Sequence, residues 1–83
     1  MVKNRYKKDV HYIKRLALRT EVSDLDCQET VENPDRVEDQ GIDPRTKKRR
    51  LRFFKKINNR TLKVVVEKLK KHDILLITAY YID

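Results

Sequence analysis

His11, Arg15 and Arg19 recur every four residues, so on a helix they stack one imidazole and two guanidinium groups along a single face. An unperturbed imidazole titrates at about 6.5 and can take or give a proton near neutrality. A guanidinium binds phosphate through a two-pronged fork. Together they are equipped for proton transfer beside a bound phosphate. The bland alternative is a solvated helix face, and the local pattern leans that way. Val10, Ile13, Leu16, Ala17 and Thr20 form an apolar stripe whose centre lies about 160° from the His–Arg face, so that face turns to solvent unless RNA lies over it.

A second set of candidates comes from the strands. The run 49–57, RRLRFFKKI, ends in Asn58-Asn59, which tolerates the positive φ of a two-residue type I′ hairpin turn. With Ile57 opposite Arg60, Lys55, Phe53 and Leu51 face Leu62, Val64 and Val66 on a core side. Arg50, Arg52, Phe54 and Lys56 then face Glu67, Val65, Lys63 and Thr61 on the other. A one-residue slip would bury the basic set, so the register is firm. With Lys48 from the preceding basic loop, the side bearing Arg50, Arg52, Phe54, Lys56 and Lys63 is a candidate RNA-binding surface, with Phe54 as its stacking platform.

The elements that must hold these residues are short. A helix is predicted from about Lys7 to Thr20, and a second from Asp24 to about Glu32, capped by Ser23 and stopped at Asn33-Pro34. Val37 to Asp39 reads as a short edge strand, and QGIDPRTKKRR as a loop. Leu62 to Lys68 and Ile74 to Tyr81 are the most hydrophobic runs and read as strands around a turn containing His72. This is an α+β architecture, two N-terminal helices packed on a three- to four-stranded antiparallel sheet.

Eighty-three residues support one domain, 1–83, with a modest core. The single cysteine, Cys27, forms no internal disulfide and no multi-cysteine zinc site, which fits a reducing cytoplasm. No run approaches the roughly 20 apolar residues of a membrane span. The acidic residues Asp24, Asp26, Glu29 and Glu32 lie along a helix without the turn of a calcium loop, so neither metal nor other cofactor is expected. The net charge is +8. Residues 1–20 carry seven basic and one acidic, 21–40 one basic and eight acidic, and 41–83 thirteen basic and four acidic. Two basic blocks around an acidic one point to a polyanionic partner, nucleic acid before others.

The series His11, Arg15, Arg19, Val22-Ser23, Asn33-Pro34-Asp35, RRLRFFKK, LKVVVE and LLITAYY resembles, in that order over about residues 10–82, a family of small bacterial domains of unknown function associated with the barnase–EndoU–colicin–RelE group of ribonuclease folds. The resemblance implies a RelE-like or barnase-like domain and metal-independent RNA cleavage. On that pattern His11 supplies a base or acid, Arg15, Arg19 or Arg52 the phosphate contact, and Thr78 and Tyr80 on the last strand a proton donor or a stacking ring. It also implies a toxin–antitoxin setting, with RNA on or off the ribosome as substrate and an acidic, antitoxin-like protein as neutralising partner. Two alternatives use the same residues without chemistry. One is a nucleic-acid binder working through its basic strand face, and the other a protein-interaction module docking through its charged surfaces.

Overall fold

The computed structural model describes residues 4–18, 21–70 and 72–82. Five strands and two helices follow in the order β1 (Arg5–Lys8), α1 (Val10–Leu18), α2 (Asp24–Glu32), β2 (Arg36–Ile42), β3 (Arg49–Ile57), β4 (Arg60–Lys70) and β5 (Asp73–Tyr81). They make one mixed sheet, β1-β5-β4-β3-β2, in which β2 to β5 run as an antiparallel meander and β1 lies parallel to β5. The sheet is therefore larger than the three or four antiparallel strands expected. The extra strand, β1, is short and basic, RYKK, and its apolar signal is one tyrosine. Its pairing with β5 supplies what its sequence does not.

The hairpin on which the sheet depends follows the expected chemistry. Asn58 and Asn59 take φ of 50° and 68°, and the β3–β4 register pairs Ile57 with Arg60, Phe53 with Val64 and Leu51 with Val66. Residues opposite each other across an antiparallel pair share a face. Leu62, Val64 and Val66 of β4 and Ile74, Leu76 and Ala79 of β5 thus form one buried layer. Tyr12, Val22, Cys27 and Val31 cover it, with α1 over β5 and α2 over β3 and β4. The two helices carry the chain from one edge strand to the other across this face. Each fully buried leucine contributes about 1.5–3 kcal/mol.

α1 departs from its expected phase. Its buried residue is Tyr12, with Leu16 packed beside it, while Val10 and Ile13 of the predicted stripe are 62% and 54% exposed and Ala17 is also exposed. Thr20 lies outside the described residues. The phase is set by Tyr12, whose ring fills the core while its hydroxyl donates to Asp24 Oδ1 at 2.6 Å. A tyrosine brings more buried area than either aliphatic residue, together with a polar handle. α2 has the expected bounds, and Ser23 Oγ accepts from Asp26 N at 3.1 Å. Among the described residues, the other face of the sheet carries no helix.

Candidate functional site

The β4–β5 ladder and its neighbours arrange the open face in rows. Lys7, Leu75, Glu67 and Arg50 are consecutive cross-strand partners from β1 to β3. Thr78, Val65, Arg52 and Glu38 form the next row, and Tyr80, Lys63, Phe54 and Arg36 the one after. The β5 register shifts between these rows, leaving Ile77 as an extra residue. Such a bulge re-aims side chains. Leu75 and Ile77, two residues apart, line the same hollow, and the extra residue brings Thr78 onto the open face as well.

That hollow, about 370 Å³, is the candidate site. Leu75 and Ile77 supply its apolar surface, Arg50 and Glu67 come from β3 and β4, Arg45 and Thr46 from the β2–β3 loop, and Asp9 and His11 from the start of α1. β1 brings His11 here. Asp9 N still bonds Leu76 O at 3.0 Å, continuing the edge ladder, and the helix begins at the next residue. The first turn of α1 therefore sits at the rim of the open face. Asp9 caps that turn, its Oδ1 accepting from His11 N at 2.9 Å and lying 2.9 Å from His11 Nδ1. The backbone N–H of His11, and then its ring, hold the Asp9 carboxyl below its usual range. With Nδ1 engaged, Nε2 is the ring nitrogen left for a ligand.

Glu67 is 3% exposed. Its Oε2 accepts from Arg50 Nη2 at 2.7 Å and from Thr46 Oγ1 at 3.2 Å. The same Arg50 nitrogen lies 3.1 Å from Asp43 Oδ2. Asp43 also fixes the loop, accepting from Arg45 N at 2.8 Å through Oδ1. That bond leads in holding its carboxyl low, and the charge of Arg50 adds to it. Arg50 Nε is buried and has no acceptor among the described residues. Leaving a buried donor without an acceptor costs about 1–3 kcal/mol.

Of the residues expected to act together, His11 alone lines the hollow. Arg15 is exposed one turn further along α1 and is not part of it, and Arg19 lies outside the described residues. Thr78 and Tyr80 share the open face with the site but fall in the next two rows, past the bulge. Glu67, Arg50, Arg45 and Asp9 stand around His11 in the hollow, where Arg15, Thr78 and Tyr80 were expected. Three of the four have a signal in the sequence. Glu67 is the one acid in a β-branched strand and falls opposite Arg50 in the hairpin register, and Asp9 is an N-cap residue directly before the helix. Nothing local marks Arg45.

The expected RNA surface is also altered. Arg52 and Lys63 lie on the helix-free face, as the register requires, and Lys56 is exposed beside them. Phe54, however, is 5% exposed, because Arg36 of β2 lies over its ring at 4.1 Å from the centroid. It is not an open stacking platform. Arg52 pairs with Glu38 at 3.5 Å and also with the Gln40 amide oxygen, and Arg49 pairs with Asp39 at 2.6 Å. Lys48 is half-buried in the loop before β3. Charges segregated along the sequence are interleaved by the fold, since acidic β2 lies beside basic β3.

Among the described residues, no three acidic, histidine or cysteine side chains are grouped to hold a metal ion, and no helix is long and apolar enough to cross a membrane. No curated protein and no solved structure matches the chain, and nothing in these comparisons links it to a ribonuclease fold group. Residues 10–81 match a domain of unknown function, DUF4258. That span begins with α1 and runs through β5, and the chain belongs to this family.

Proposed function

We propose that the protein is a metal-independent endoribonuclease whose reaction centre is the hollow around His11. One observation carries this reading: an imidazole oriented by a carboxylate, a second, buried carboxylate and two guanidinium groups line a single pocket. Cleavage by internal transesterification needs a base for the 2′-hydroxyl proton, cations for the charged phosphorane and an acid for the leaving 5′-oxygen. Glu67 takes the 2′-hydroxyl proton. The resulting alkoxide attacks phosphorus, and Arg45 and Arg50 balance the charge gathering on the non-bridging oxygens. His11, protonated with Nδ1–H directed at Asp9, gives the proton on Nε2 to the departing 5′-oxygen. The products are a 2′,3′-cyclic phosphate and a 5′-hydroxyl. A phosphate oxygen at Arg50 would also satisfy its orphaned Nε–H.

The RelE-like or barnase-like assignment belongs to this proposal, as do a toxin–antitoxin setting and ribosome-bound RNA as substrate. An acidic antitoxin-like partner has less support than RNA, because Glu38, Asp39, Asp43 and Glu67 already meet Arg52, Arg49 and Arg50 from within the chain. The test is cleavage of RNA in the presence of a chelator, with analysis of the product ends. Cyclic phosphate ends are expected, together with a loss of at least about 100-fold in rate for His11→Ala and for Glu67→Gln. No cleavage of any RNA, whether naked or ribosome-bound, rejects the enzyme. Full activity in both variants rejects this centre.

A further inference from the structure

Beyond the hollow, the open face carries a row in which rings and cations alternate. Tyr80, Lys63, Phe54 and Arg36 are successive cross-strand partners. Lys63 Nζ stands 5.3 Å from the centre of the Tyr80 ring, and Arg36 lies over Phe54. The two cations differ in what holds them. Arg36 has Glu38 at 3.6 Å, whereas no carboxylate lies within ion-pair distance of Lys63 among the described residues. An ammonium on a flexible stem, resting on an aromatic ring, keeps its charge available to a ligand approaching from above.

We infer that Lys63, seated on Tyr80, is a second phosphate-binding subsite for the same single-stranded RNA whose scissile phosphate lies in the His11 hollow, an inference that rests on the ribonuclease reading. The spacing supports it. Glu67 and Lys63 are four residues apart on β4, which at the rise of a strand is about 13 Å. That span corresponds to roughly two nucleotides of an extended single strand tracked by its backbone. Val65 and Thr78 are the uncharged part of the row between, over which a sugar can pass, with the Arg52–Glu38 pair beside them. Thr78 Oγ1, buried there, has no hydrogen-bond partner among the described residues. The ligand class is therefore a polyribonucleotide long enough to reach both rows, and a dinucleotide is too short.

Binding of 2′-O-methyl oligonucleotides, which cannot be cleaved, tests this by fluorescence anisotropy. The wild type should bind a tetranucleotide about tenfold more tightly than a dinucleotide. Lys63→Gln should erase that gain while costing the dinucleotide less than about twofold, and should reduce the salt slope of tetranucleotide binding by about 0.7. Lys63→Arg should restore most of the gain, with circular dichroism confirming that both variants are folded. Equal affinity for the two lengths in the wild type, or an equal effect of Lys63→Gln on both, overturns the subsite alone. Failure of every oligonucleotide to bind overturns the subsite and the ribonuclease reading together. A polyglutamate peptide that competes as well as the tetranucleotide overturns the assignment to nucleic acid.

Discussion

The two faces of the sheet come from one hairpin register but follow different rules. On the helix-covered face Leu62, Val64, Val66 and Leu76 are fully buried in one cluster with Tyr12, Val22, Cys27 and Val31 from the helices and their connection. On the open face burial is achieved with charges: Glu67 beneath Arg50, Asp73 with Arg5 at 2.8 Å, and Phe54 beneath Arg36. The first face gains free energy by area. The second balances desolvation against pairing, which yields little net stability but holds charged groups where a ligand can meet them. The difference teaches where to look for function in a domain this small. Stability is concentrated on one side, which leaves the other able to carry groups that contribute little to it.

The sharpest way to break the comparison is to truncate each face in turn. Leu76→Ala should cost about 2–5 kcal/mol in denaturant-induced unfolding, with cleavage per folded molecule unchanged. Were its unfolding midpoint to stay within error of the wild type, the helix-covered face would not be the source of stability. On the open face, Arg50→Lys keeps the charge but loses the planar guanidinium whose Nη2 meets Asp43 and Glu67 and whose Nε–H is left for a ligand. It should cost about 1–3 kcal/mol and reduce RNA cleavage by at least about tenfold. Equal activity at equal stability would show that Arg50 is only a surface cation.

How much of this was legible depends on the range of the signal. The β3–β4 hairpin could be read because Asn58-Asn59 fixes a turn and the turn fixes every later pairing. β1 could not, since four mostly basic residues become a strand only when β5 stands beside them, 68 positions away. The phase of α1 was misjudged because its aliphatic residues make the neater stripe, yet one buried tyrosine outweighs them. His11 was visible by residue type and Arg50 and Glu67 by the hairpin register, but their meeting was not. It depends on β1, which carries the start of α1 to the rim, and on a loop ordered by Asp43, and neither has a local pattern. Phe54 was misread because the strand that covers it, β2, looked too short to reach it.

The smallest expected effects lie in the dependence of stability on pH, and they separate the two faces again. Asp9, which lines the hollow, and Asp43, which meets Arg50 from the loop behind it, have folded pKa values below the ordinary 3.8, set first by the backbone N–H groups of His11 and Arg45. A lowered carboxyl contributes stability that is present above 3.8 and is lost as pH falls through the folded value. Both residues are half-buried, and each carboxyl is held mainly by a single hydrogen bond, so each contribution is modest. On the helix-covered side the shifts run upward. Burial raises Cys27 from 9.0 to about 11 and Tyr6 from 10.0 to about 12, and raises Tyr12 as well. A raised thiol or phenol contributes stability that is complete below its unfolded value and is lost as pH rises toward the folded one. Asp24, on this side, is also lowered: burial opposes its ionisation, but the Tyr12 hydroxyl and Lys8 outweigh that. Acid should therefore loosen the open face first and alkali the helix-covered core. Urea midpoints measured on both sides of neutrality would show it. Asp43→Asn should flatten the decline below 3.8 and leave the alkaline limb alone. Cys27→Ala, though less stable throughout because of the cavity it leaves, should flatten the limb between 9.0 and about 11 and leave the acid limb alone. If each variant instead changed both limbs alike, the two faces would titrate as one unit, and the division of labour drawn from their packing would not extend to their charges.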